Sequence, residues 1–150
     1  MSPVPHQSPT QSYAQNLNIT GLIVGAADRG SGLTRAVYWD SSDQIFDIGT
    51  LGGTSGWAQA INDANVIVGF SNNGTANRAF GFVPGGSITD LNTLLLPGAS
   101  GWVISRVYDI NNAGLIVGEG TFGGVTQAVV LSPIPESGTW ALILFTVPAV

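Results

Sequence analysis

Asp40, Asp43, Asp47, Asp63, Asp90 and Asp109 are the carboxylates that hydrolysis of a glycosidic bond by a paired acid and base would draw on. They fall at turns and strand edges, where Asp bonds nearby backbone amides, and that structural role is the reading adopted. The spacing of a calcium loop, D-x-[DN]-x-[DN]-G, does not occur. The single histidine, His6, lies in a stretch rich in Pro, Ser and Gln, and there is no cysteine. A His-based triad, a multi-His metal site and a thiolate metal site therefore lack their side chains. No catalytic, cofactor-binding or metal-ligating residue is assigned, and no cofactor is expected.

Trp39, Trp57 and Trp102, with Tyr13, Tyr38 and Tyr108, are the rings on which a sugar could stack. Tyr13 and Trp57 recur at one position of a repeat described below, as residues packed between units would. Trp102 stands outside that pattern, in the stretch Leu94–Val103, and is the candidate for an exposed ligand contact. Arg35 and Arg78 each precede an alanine at matching positions and read as ion-pair partners of Asp47 or Asp90.

The elements that would position these groups come from composition and spacing. Only 9% of the 150 residues are charged, 21 are glycine, lysine is absent and the net charge is −5. Such a chain has no electrostatic footprint for phosphate backbones, so nucleic acid is excluded as a partner. Asn18, Asn62 and Asn111 are separated by 44 and 49 residues, and so are Gly25, Gly69 and Gly118, each closing an Ile-Val-Gly run. Ala36, Ala79 and Ala128 follow at 43 and 49, and Asp47 and Asp90 are 43 apart.

Each unit reads as four short antiparallel strands. In the second unit, Trp57–Ile61 and Val66–Phe70 flank Asn-Asp-Ala-Asn, a hairpin turn because Asn and Asp tolerate left-handed backbone angles. The Ile-Val-Gly runs should be buried, with Val24, Val68 and Val117 equivalent. Fourth strands are expected at Ile45–Leu51 and Ser87–Leu94, with none in the third unit. The fold class is thus all-β, with a repeat of about 44–49 residues, as a partial, open propeller or a β-solenoid. Three units leave sheet edges open, which suggests self-association or a longer chain.

Residues 1–11 read as a disordered lead-in without the basic and apolar regions of a signal peptide. Residues 12–132 form the β-repeat domain, with units 12–53, 54–98 and 99–132. Residues 133–150 end in an apolar run, Thr139–Val150, too short for the roughly 20 residues of a membrane span. A short C-terminal apolar helix is expected there, packed poorly on the β body, so that deleting it would leave stability nearly unchanged.

FDIGTLGGTSGWAQAINDANVIVGFS followed by RAFGF resembles the extracellular repeats named for a His-Ala-Phe tripeptide, over roughly residues 12–131. Arg35, Arg78 and Gln127 stand where that family has its His. The tail, IPESGTWALILF, is similar to the PEP-CTERM sorting signal through Pro135, Glu136, Thr139, Trp140, Ala141 and Leu142. Ser137 replaces the second Pro, and the basic cluster that ends such signals is missing. The resemblance implies export from a Gram-negative bacterium to the outer envelope or beyond. It also implies handling of the tail by exosortase-type machinery at the membrane. The expected function is a non-enzymatic structural or interaction module of the cell surface or extracellular matrix, with exopolysaccharide as a partner. The alternative is a carbohydrate-binding or polysaccharide-degrading propeller.

Overall fold

The computed structural model describes residues 11–29, 33–136 and 139–149. Of the lead-in only Gln11 falls among them, where its carbonyl accepts a hydrogen bond from the amide of Asp28. The described residues form three four-stranded antiparallel sheets, each a meander in chain order and none closed. The first sheet holds β1 (Ser12–Leu17), β2 (Ile23–Asp28), β3 (Thr34–Trp39) and β4 (Ile45–Asp47). The second holds β5 (Gly56–Ile61), β6 (Ile67–Asn72), β7 (Asn77–Phe82) and β8 (Thr89–Asp90). The third holds β9 (Val103–Ile110), β10 (Ile116–Phe122), β11 (Val125–Glu136) and β12 (Thr139–Thr146).

The sheets stack, with the first strand of each lying against the middle strands of the one before: β5 on β2 and β3, β9 on β6 and β7. Burial follows from this stacking, because alternate side chains of a strand point to opposite faces. Val24, Ala36 and Ile48 of the first sheet meet Ala58, Ile61, Ile67 and Phe80 of the second. On the far side of the second sheet, Ala60, Val68 and Ala79 meet Ile104, Val107, Ile110 and Val129 of the third. Two separate cores result, each shared by neighbouring sheets only.

Three expected elements differ from those observed. The fourth strand of the first unit stops at Asp47 rather than Leu51, where the Asp47 carboxylate turns back to accept the Gly49 amide at 2.8 Å. The fourth strand of the second unit is only Thr89–Asp90, because the Asp90 carboxylate accepts the Asn92 amide at 2.9 Å and starts a 3₁₀ turn over Leu91–Leu94. A second such turn, Pro97–Ala99, follows. Asn92 then clamps β9, its side chain donating to the Ile104 carbonyl (2.9 Å) and accepting from the Ile104 amide (2.7 Å).

The largest correction is at the C-terminus. The expected apolar helix is instead strand β12, which gives the third unit a fourth strand. It pairs with β11 from Val129↔Thr146 to Glu136↔Thr139. β11 runs straight through positions 132 and 133, and Leu142 is buried in the core between the second and third sheets. Pro133 and Pro135 are compatible with this strand because β10 stops opposite Leu131. Beyond that point β11 has a partner on one side only, where prolines are tolerated.

Candidate functional site

The groups with the most specific geometry lie at the junctions between units. In each unit the first strand carries one extra residue opposite the Val-Gly step of the second. Ala14 pairs with Gly25 and Asn16 with Val24, leaving Gln15 unpaired. Gln59 and Tyr108 are left in the same way between Ala58 and Ala60 and between Val107 and Asp109. This bulge presses the strand backbone onto the glycine. A Cβ on Gly25, Gly69 or Gly118 would lie 1.8, 2.0 or 2.2 Å from the carbonyl oxygen of Tyr13, Trp57 or Arg106. The glycine that closes each Ile-Val-Gly is therefore required by backbone approach.

Next to the bulge sits the hairpin turn, built as the Asn spacing predicts. The side-chain oxygen of Asn62 accepts from the amides of Ala64 (3.1 Å) and Val66 (2.9 Å). Asn111 does the same for Ala113 and Leu115, and Asn18 for Thr20 and Leu22. The residue that needs a positive φ is Gly21 (85°), Asn65 (64°) or Gly114 (82°).

With its oxygen spent inside the turn, each Asn side chain has its amide free for the next unit. Asn18 Nδ2 donates to the Asn62 carbonyl at 2.9 Å, and Asn62 Nδ2 to the Asn111 carbonyl at 3.1 Å. A parallel rail runs beside this ladder. The Ile19 amide donates to Asp63 Oδ1 (3.0 Å), and the Asp63 amide donates to Asn112 Oδ1 (2.8 Å). Asn112 Nδ2 returns a bond to Asp63 Oδ2 at 2.9 Å. Sequence reading finds the turn but not the ladder, whose only signal is that Asn itself recurs where Asp or Ser would also make the turn.

The bond from Ile19, then that from Asn112, holds the Asp63 carboxyl below its usual range. A group whose folded pKa is depressed adds stability above its unfolded value, about 3.9, and loses it as pH falls through the folded value. Asp63→Asn should therefore melt below wild type at neutral pH and converge with it on acidification below about pH 4. Thermal midpoints of both proteins across pH check this; parallel curves would refute it.

Asp40, Asp47, Asp90 and Asp109 are also committed locally, while Asp43 holds the positive φ (62°) of its turn. Asp40 accepts from the amides of Ser42 and Gln44, and Asp109 from that of Ile110. Asp47 accepts from the Gly49 amide and pairs with Arg29 and, at 3.5 Å, Arg35. Arg78 does not reach Asp90; it donates to the carbonyl of its neighbour Asn77. Among the described residues no group of three His, Cys, Asp or Glu is placed to hold a metal.

The aromatic residues divide between packing and exposure. Tyr13 and Trp57 meet across the first junction with tilted rings 5.4 Å apart, and Arg106, at their position in the third unit, lies 4.6 Å over the Phe70 ring. Tyr38 stacks on Phe46 and packs at the first junction, where burial, and then the Asp40 carboxylate, push its hydroxyl pKa up. Trp102 is partly buried rather than free. It stacks on Phe122 at 5.4 Å and packs on the second core.

Trp102 also lines an open groove of about 610 Å³ with Leu96, Gly98, Ala99 and the β12 residues Ile143, Leu144, Phe145 and Thr146. The candidate ligand contact Trp102 and strand β12 are thus brought together. The Leu96 amide donates to the Leu142 carbonyl at 3.0 Å, fastening the inserted stretch to β12. Ala141 pairs with Ile134, Trp140 with Pro135 and Thr139 with Glu136. The side chains of these last four residues lie outside the described set. Among the described residues no helix is long and apolar enough to cross a membrane. No family model, no curated protein and no solved structure matches this chain.

Proposed function

We propose that this protein is a non-enzymatic, exported repeat module of propeller-like form that builds or joins structures at the cell surface or in the extracellular matrix. The observation that carries this reading is where the polar side chains are spent. The turn asparagines, Asp63 and Asn112 hold one unit to the next, and Asp40, Asp47, Asp90 and Asp109 hold local backbone or arginine. What is built is a surface made by stacking. Export and handling by exosortase-type machinery rest on the resemblance of Pro135, Glu136, Thr139, Trp140, Ala141 and Leu142 to a sorting signal. Release of that segment would take β12 out of the third sheet.

A second reading, a carbohydrate-binding propeller that holds exopolysaccharide, is favoured by one feature. The groove beside Trp102 offers an aromatic wall next to an open cleft. A glycan array separates the two. Silence across the array is the expected result. A defined sugar bound by wild type and lost in a folded Trp102→Ala variant would replace the structural reading with the lectin one.

A further inference from the structure

We propose that the outer face of the third sheet is a docking surface for the first sheet of a second copy of this chain, joined head to tail. Three positions on that face depart from their equivalents. Val24 and Val68 are 0% exposed, whereas Val117 is 43% exposed. Ala36 and Ala79 are fully buried, whereas Ala128 is open. Asn18 and Asn62 are buried under the following unit, whereas Asn111 is exposed, with no further turn among the described residues for its amide to reach. Between Tyr108, Val117 and Ala128 lies a groove of about 430 Å³, where the first strand of a following unit would run.

The opposite end of the stack carries the matching deficit. Ile61 and Ile110 are 4% and 7% exposed because a preceding sheet covers them, whereas Leu17, their equivalent, is 66% exposed. Ala14 is likewise open where Ala58 and Val107 are buried. One end therefore presents what each internal junction gives, and the other what each receives. The ladder sets the polarity. Asn amides point toward the following unit and turn carbonyls receive from the preceding one, so Asn111 calls for the Asn18 carbonyl of another copy. Two third sheets facing each other would oppose donor to donor.

The new junction is weaker than the internal ones, because Ile19 has no oxygen where Asp63 and Asn112 have theirs, and the parallel rail ends. Such a heterologous contact gives a ring if its rotation closes and an open chain if it does not. The proposal deepens the interaction-module reading and rests on it, but sedimentation tests it without sugars, so the two can fail separately.

The experiment compares wild type, Leu17→Asp and Val117→Asp by analytical ultracentrifugation, with circular dichroism confirming that each is folded. Both substitutions are at exposed sites. Wild type should associate as concentration rises, and each variant alone should be monomeric. An equimolar mixture of the two should form a 1:1 dimer that grows no further, since each variant keeps the face the other has lost. Wild type that stays monomeric at roughly 1 mM would overturn the proposal. So would a Leu17→Asp variant that associates alone, because the contact would then be face to face.

Discussion

Gly69→Ala should destabilise the protein by about 3 kcal/mol or more, at or beyond the upper end for inserting a methyl group into a packed site. The added carbon would stand 2.0 Å from the Trp57 carbonyl oxygen, and 3.0 Å from both Ala58 Cα and Phe80 Cε2. Two of these three atoms are backbone, held by the bulge, so no rotamer change relieves them. Gly98→Ala is the control, because nothing lies within 4 Å of its would-be Cβ and its φ is not left-handed. Urea unfolding of both variants decides the matter. A Gly69→Ala midpoint equal to that of Gly98→Ala would mean that the bulge can slide.

The second large effect is expected at the C-terminus, where the sequence-based expectation is almost none. Leu142 is 3% exposed and packs with Leu91, Ile104 and Leu131. Leu142→Ala alone should cost about 2–5 kcal/mol, the usual range for emptying such a site. Deleting residues 139–150 should cost more, since it also strips β11 of its outer partner and frees Leu96. Chemical denaturation of the truncated protein tests this. A loss under about 0.5 kcal/mol, typical of changes away from the core, would restore the detachable tail.

How far the fold could be read ahead depended on whether a signal repeats. The bulged strand, the Asn turn and the Ile-Val-Gly strand occur three times, and their spacing exposes them without knowledge of what pairs with what. β12 occurs once. Its run, WALILF, is apolar on every side, and such a run has no period by which helix and strand can be told apart. The deciding fact is the free edge of β11, a partner with two prolines that itself reads as a boundary. Val117 failed for a different reason. Its local sequence is that of Val24 and Val68, and only its place at the end of the stack leaves it open. Trp102 stands apart from the repeat in sequence, and its stacking on Phe122 joins segments that sequence order does not relate.

The two separate cores also bear on how the molecule opens. Each is shared by one pair of sheets, so only the middle sheet is held on both faces, and the outer two are each held on one. In such a linear array, stability is nearly a sum of unit and nearest-neighbour terms, and local unfolding begins where neighbours are fewest. The first and third sheets should therefore exchange their amide hydrogens before the second, with Ile67, Val68 and Phe80 among the last to open. Addition of a unit at either end would protect the unit beneath it and turn the end that frays into an interior.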